Sequence, residues 1–132
     1  MDATLDVSEL STAQLVNGVF MGGGAKSIAY GGALRAVHER GLWFGSVAGS
    51  SAGAIVSALI ASGLELDELE AAIPAGLAAA RASLPARAGK VIIGHGHSVF
   101  EGRGLRAWLD ATMATKIGKV DGTPVTFAEL HR

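Results

Sequence analysis

Short apolar stretches that end in glycine alternate along the chain with segments whose apolar residues follow helical spacing. Residues 15–21 are mostly apolar and precede three glycines, which predicts a strand buried on both faces. Residues 22–27 predict a loop. Apolar residues then recur at helical spacing over residues 28–40, and Gly41 predicts the C-terminal cap of that helix.

The same order of elements recurs in the next part of the chain. Residues 46–48 predict a second short strand, and residues 54–62 predict a buried helix that Gly63 stops. Strands that alternate with helices are typical of a layered α/β fold. We therefore expect a mostly parallel sheet with helices on both faces.

The middle of the chain carries weaker signals. Asp67 and Glu70 resemble a capping box that opens a helix, and Pro74 predicts a kink or the end of that helix. Residues 83–104 predict a loop with one possible strand at residues 91–93.

Two further helices are predicted near the C-terminal end. The first has an apolar face made of Leu105, Trp108, Leu109 and Met113. Residues 121–124 predict a turn, after which we expect Thr126 to cap a short helix that runs to Leu130.

The composition fits one folded domain. Of the 132 residues, 49% are hydrophobic and 17% are charged, which is enough apolar material for a core. A net charge of −1 argues against nucleic acid as a partner, because such binding needs a clustered basic face. The absence of cysteine excludes disulfides, thiol nucleophiles and thiolate zinc sites.

The sequence predicts neither a signal peptide at the N-terminus nor a membrane span in the long uncharged stretch. Residues 1–14, a lead segment, lack the basic start and apolar run of a signal peptide, so we expect a cytoplasmic protein. Residues 41–64 carry no charge and are long enough to cross a bilayer. Their many glycines and serines instead predict a strand, a turn and a helix.

The strongest chemical signal is the run Gly49-Ser50-Ser51-Ala52-Gly53, a G-x-S-x-G string between a predicted strand and a predicted helix. A nucleophile elbow holds its serine in a strained, exposed conformation, and its glycines let strand and helix approach closely. Ser51 has the register of the nucleophile. The same string also suits a simple Gly/Ser turn between two buried elements.

A second glycine motif supports the catalytic interpretation. Acyl transfer needs backbone N–H donors for the oxyanion, and Gly22, Gly23 and Gly24 supply such donors, with Lys26 adding positive charge nearby. The loop departs from a dinucleotide fingerprint because Ser27 replaces the last glycine, and the residues ahead of Lys26 do not form a P-loop.

These residues resemble the patatin-like lipid acyl hydrolases. Residues 22–34 and then 49–53 match that family's oxyanion loop, first helix and nucleophile elbow in order and spacing, and residues 126–130 resemble a later segment. The resemblance implies hydrolysis of lipid esters, often at a membrane or micelle surface, by a Ser/Asp dyad without metal or organic cofactor. Ser51 maps to the nucleophile, and Gly22 to Gly24 map to the oxyanion loop.

The sequence departs from the family pattern at the second member of the dyad. The family's Asp lies in an Asp-Gly-Gly or Asp-Gly-Ala motif, which is absent, and Asp121-Gly122 is expected to belong to a turn. We therefore expect residues 15–132 to be the N-terminal portion of a patatin-like domain, truncated before its general base. The alternative is a catalytically inactive fragment that serves as a lipid-binding or protein-interaction module.

Two interpretations are open for the histidine pair and two for the aromatic residues. His95 and His97 could bring two imidazoles to a metal, but no Asp, Glu or third His has ligand spacing nearby, so we expect an exposed loop. Trp43, Phe44 and Trp108 suit either a core or a membrane-docking patch.

Overall fold

A parallel pair of strands forms the sheet in the computed structural model, which describes residues 14–82 and 102–130. Strand β1 spans Gln14–Phe20 and strand β2 spans Leu42–Gly49. Gln14 pairs with Leu42 and Phe20 pairs with Gly49, with one register shift after Val16. The parallel direction requires a crossover between the strands, which the first helix provides.

Five α-helices accompany the sheet in the described part of the chain. They are α1 (Ala29–His38), α2 (Ala52–Ala61), α3 (Leu66–Ala82), α4 (Arg103–Ile117) and α5 (Phe127–Leu130). A short 3₁₀ helix, Gly24–Ile28, leads into α1. The predicted α/β fold with a parallel sheet is confirmed.

Most element predictions for the first two units hold, with shifted ends. Gly41 and Gly63 follow α1 and α2 with φ of +68° and +82°, as expected of helix-ending glycines. The second strand is longer than predicted, because β2 already pairs with β1 from Leu42. The loop prediction for residues 22–27 is wrong for residues 24–27, since a 3₁₀ helix begins at Gly24.

Helix α3 corrects the capping prediction and excludes one of the two predicted effects of Pro74. The residue whose side chain reaches back is Glu68, which accepts the N–H of Glu65 at 2.6 Å, so the capping register lies two residues earlier than predicted. Asp67 and Glu70 instead bind the guanidinium of Arg35 on α1. Pro74 lies within α3 and does not end it.

The core lies between the sheet and the helices. Its buried members come from β1 and from helices α1 to α4: Phe20, Leu34, Val56, Leu59, Leu69, Ala72, Ile73 and Met113. Phe20 also makes edge contacts with the rings of Tyr30 and Phe44, at centroid distances of 5.4 and 5.6 Å. These contacts bind β1, β2 and α1 into one apolar unit.

The other sheet face is open in the described residues. Leu15 and Val19 alternate with the Phe20 side of β1 and are 71% and 82% exposed. The prediction that this strand is buried on both faces is therefore wrong. This face of β1 is exposed because the described helices pack only against the side that carries Phe20.

An ion pair joins α3 to α4, and a bend in the chain precedes α5. Lys116 on α4 contacts Glu68 on α3 at 2.6 Å. Where a turn was predicted at residues 121–124, the chain bends at residues 121–123, with the Asp121 carboxylate accepting the N–H and hydroxyl of Thr123. The possible strand at residues 91–93 lies outside the described residues.

Residues 41–64, the uncharged stretch, form a strand, a tight turn and a helix, as predicted. Within the described ranges 14–82 and 102–130, no helix combines the length and apolar character needed to span a membrane.

Candidate active site

Ser51 occupies a sharp turn between β2 and α2. Its backbone angles are φ 51° and ψ −123°, and among the described residues it is the one non-glycine with positive φ. Such a conformation costs of the order of 1–3 kcal/mol and persists only where the surroundings enforce it. The strained elbow predicted for Ser51 is therefore present in the backbone.

Close packing of the backbone enforces this turn. A Cβ on Gly49 would overlap the backbone carbonyl of Gly53 and lie 2.8 Å from the nitrogen of Ala54. A Cβ on Gly53 would overlap the carbonyl group of Phe20. Both motif glycines are thus required because strand ends and the first turn of α2 lie in direct backbone contact.

The glycine loop that follows β1 lies against the elbow. A Cβ on Gly22 would be 3.1 Å from the Cβ of Ser51. The N–H of Gly22 donates to the Ser50 hydroxyl at 3.2 Å, and the Tyr30 hydroxyl donates to the Met21 carbonyl at 2.7 Å. Two motifs that are 27 residues apart therefore meet at one place in the fold.

Several polar groups around Ser51 are free to meet a ligand. In the described part of the chain, the amides of Gly23, Gly24 and Ala52 have no hydrogen-bond acceptor, and the Ser51 hydroxyl has no partner. The N-terminal end of α2 adds its positive dipole end at the same point. Ala52 was named from the sequence as part of the elbow, and its free amide directly follows the elbow serine.

Lys26 has a backbone role in the loop. Its N–H donates to the Gly23 carbonyl at 3.0 Å and closes the 3₁₀ turn. Its side chain is exposed and makes no ion pair with the described residues. A contribution of its ammonium charge to the site stays a prediction.

An apolar cavity of about 180 Å³ opens beside Ser51. Gly24, Ser27 and Ser51 contribute to its lining. Most of the remaining wall comes from apolar side chains of α2, α3 and α4, including Ile55, Val56, Ile73, Leu77 and Leu105. The sequence motifs gave no sign of this cavity, because its wall is assembled from three helices.

A larger cavity of about 660 Å³ lies at a different part of the fold. It is lined by residues such as Val37, Trp43, Ile60 and Leu66, and includes neither Ser51 nor the glycine loop. The smaller cavity is the one that bears on the chemistry of Ser51.

The described aspartates have other partners. Asp67 contacts Arg35 at 3.1 Å, and Asp110 contacts Arg106 at 3.7 Å. The N–H and hydroxyl of Thr123 lower the pKa of Asp121 below its usual value. No aspartate of the described ranges contacts Ser51, and Asp2 and Asp6 lie outside them.

The remaining candidates are distributed over the fold. His95 and His97 lie outside the described residues, and the part of the chain that is described groups no three His, Asp or Glu side chains around a possible metal. Phe44 and Trp108 pack against the core, whereas Trp43 is 48% exposed and contacts His38. The three aromatic residues therefore do not form one patch.

Comparison with known proteins places this chain in a family. The family model "Patatin-like phospholipase" matches residues 18–128, which include the glycine loop and the elbow. A Bacillus subtilis (strain 168) protein named "Uncharacterized protein YqhO" is 52% identical over 58 residues, which are 44% of this chain and 20% of that protein. No solved structure shows significant similarity. The chain therefore belongs to the patatin-like phospholipase family, whose members act on lipid substrates.

Proposed function

We propose that the protein belongs to the serine acyl hydrolases of lipid esters and that Ser51 is the nucleophile. The observation that carries this proposal is the exposed Ser51 on a strained turn, with an unpartnered hydroxyl between a glycine loop and an apolar cavity. Strain held at one residue by surrounding backbone is common at functional sites.

The chemistry follows from the neighbours of Ser51. Its oxygen attacks the ester carbonyl, and its proton passes to a general base and then to the leaving alcohol. The negative oxygen of the tetrahedral intermediate accepts hydrogen bonds from the amides of Gly23, Gly24 and Ala52. Water then cleaves the acyl-serine bond and releases the fatty acid.

The apolar cavity supports an acyl chain as the group that enters the site. An apolar cavity of about 150 Å³ holds a six-carbon molecule such as benzene, so about 180 Å³ accommodates an acyl segment of about six carbons.

Met21 and Ile28, which flank the glycine loop, are 74% and 56% exposed. Such residues favour docking to a membrane or micelle surface, and a cytoplasmic protein peripheral to membranes fits this proposal.

The general base is the member of the dyad to which no residue of this sequence is assigned. By resemblance it is an Asp in an Asp-Gly-Gly or Asp-Gly-Ala motif, which this sequence lacks. The engagement of Asp67, Asp110 and Asp121 with other groups favours a second candidate function, a catalytically inactive lipid-binding or protein-interaction module.

Reaction with an alkyl fluorophosphonate tests the proposal. We expect Ser51 to be the modified residue by peptide mapping, Ser51→Ala to abolish modification, and Ser50→Ala to retain it. Modification that is equal in the two variants would exclude Ser51 as the nucleophile. Binding of lipid without modification of any serine would favour the inactive module.

A further inference from the structure

Two side chains outside the proposed catalytic groups hold the glycine loop. The Ser50 hydroxyl accepts the N–H of Gly22 at 3.2 Å, and the Tyr30 hydroxyl donates to the Met21 carbonyl at 2.7 Å. Both bonds fix one peptide group, the one between Met21 and Gly22, which immediately precedes the free amides of Gly23 and Gly24. The loop is therefore anchored from the elbow on one side and from α1 on the other.

Ser50 is itself held at both of its backbone groups. Its N–H donates to the Phe20 carbonyl at 3.1 Å, and its carbonyl accepts the N–H of Gly53 at 2.9 Å. With backbone and side chain all bonded, Ser50 joins the end of β1, the glycine loop and the first turn of α2. Its hydroxyl is engaged, whereas the hydroxyl of the next residue, Ser51, is free.

Tyr30 has a comparably fixed position. Its ring makes an edge contact with buried Phe20 at a centroid distance of 5.4 Å, and its hydroxyl reaches past the loop to the Met21 carbonyl. The aromatic contact orients the ring, so the hydroxyl bond needs little further ordering of the side chain.

The loop needs such anchors because its own sequence does not restrict it. Glycine has more accessible backbone conformations than any other residue type, and the loop contains three in succession. One of them, Gly24, adopts a φ of +52°. Donors that stabilise an oxyanion act well only when their direction is set before the reaction. Bonds that fix Met21 and Gly22 therefore set the direction of the two amides that follow.

We propose that Ser50 and Tyr30 are positioning residues that align the Gly23 and Gly24 amides with the Ser51 hydroxyl. The proposal rests on the proposed function of Ser51 and adds roles for two residues that do not touch the reacting atoms. It also assigns different tasks to the two adjacent serines of the elbow.

The test compares the 132-residue chain with Ser50→Ala and Tyr30→Phe, which each remove one hydroxyl. Ser50→Thr, which keeps a hydroxyl, is the matched control. Removing an oxyanion donor outright costs about 100- to 1000-fold in rate, so misaligning one is expected to cost about tenfold. We expect this loss in the maximal rate of fluorophosphonate modification, with the half-saturating concentration unchanged and with recovery in Ser50→Thr.

Amide hydrogen exchange gives a readout that does not depend on reactivity. We expect exchange at Gly22 to accelerate at least tenfold in Ser50→Ala and to stay near the wild-type rate in Ser50→Thr, because the hydroxyl is the acceptor of this amide. Unchanged exchange at Gly22, or an unchanged modification rate in both hydroxyl-deletion variants, would overturn the proposal. Failure of the wild-type chain to react would contradict the proposed function, while exchange at Gly22 would still decide whether Ser50 holds the loop.

Discussion

The α-carbon of Gly53 faces the carbonyl group of Phe20 so closely that a Cβ on Gly53 would overlap it and would also lie 2.8 Å from the Met21 carbonyl oxygen. This contact presses the first turn of α2 against the end of β1. It thereby brings the elbow serine beside the loop that follows the strand.

Substitution of Gly53 by alanine is therefore expected to destabilise the protein. Because the obstruction is backbone rather than a movable side chain, we expect a loss of about 3 kcal/mol in the free energy of unfolding, measured by urea denaturation. Gly32→Ala is the matched control, since open space surrounds this exposed position in α1. It is expected to stabilise the helix by roughly 0.5–1 kcal/mol, and equal effects of the two changes would contradict the packing described above.

Strain at Ser51 predicts an unusual effect of glycine. Glycine adopts positive φ without a steric penalty, whereas alanine keeps the strain of the elbow. After the larger unfolded-state entropy of glycine is allowed for, Ser51→Gly is expected to be more stable than Ser51→Ala by about 1 kcal/mol. A lower unfolding free energy for Ser51→Gly would show that the turn is not strained.

The cavity predicts a preference for acyl length. We expect a hexyl fluorophosphonate to modify the wild-type chain about tenfold faster than a decyl analogue, because the longer chain exceeds the cavity of about 180 Å³. Leu77→Ala enlarges the cavity and should therefore reduce the difference in rate between the two probes. Leu109→Ala makes the same substitution away from the cavity and should preserve it, so an identical shift in both variants would contradict the assignment.

The Lys119–Glu129 contact predicts a loss of stability in acid. The Lys119 ammonium, together with the N–H and hydroxyl of Thr126, lowers the pKa of Glu129 to about 2. A carboxyl whose pKa falls on folding adds stability above its ordinary pKa, and this stability is lost as the pH falls from about 4.5 towards 2.

Glu129→Gln is expected to weaken this acid dependence, measured as the change in urea midpoint between pH 6 and pH 3. Glu39→Gln serves as the control, since the Glu39 carboxylate is exposed and makes no hydrogen bond or ion pair with the described residues. Identical pH profiles for wild type and Glu129→Gln would show that this contact does not form in solution.

The absence of an identified base predicts a slow enzyme. Without a positioned carboxylate, Ser51 loses a contribution of about 10² to 10⁴ in rate. Ester turnover needs the base in both acylation and deacylation, whereas fluorophosphonate reacts once and irreversibly, so its slower modification of Ser51 can still be followed over hours. We expect the 132-residue chain to hydrolyse a short-chain nitrophenyl ester no faster than Ser51→Ala does. Rapid turnover that Asp121→Asn abolishes would instead make Asp121 the base.

Local sequence signals were sufficient for the elements that surround Ser51. The glycines at 22–24, 49 and 53 predicted a loop and an elbow. Gly22, Gly49 and Gly53 allow close approach of neighbouring chain segments, and Gly24 adopts a positive φ. Helix ends at Gly41 and Gly63 were predicted for a similarly local reason. Chemistry that depends on backbone shape could therefore be found from residue type and spacing.

Features that depend on tertiary contacts could not be predicted. The cap of α3 uses Glu68 because Asp67 and Glu70 are drawn to Arg35, a residue more than 30 positions away. Helix α3 continues through Pro74, against the local signal, while Ile73 is buried in the core. The anchoring of the glycine loop by Tyr30 likewise depends on the fold as a whole.

The structure of the 132-residue chain after reaction with a hexyl fluorophosphonate tests the central claim most directly. We predict a bond from phosphorus to the Ser51 Oγ, with the phosphoryl oxygen accepting hydrogen bonds from the Gly23, Gly24 and Ala52 amides and the hexyl chain in the apolar cavity. A modified serine elsewhere would contradict the account. So would a phosphonate on Ser51 whose oxygen points away from those amides and whose alkyl chain lies in solvent.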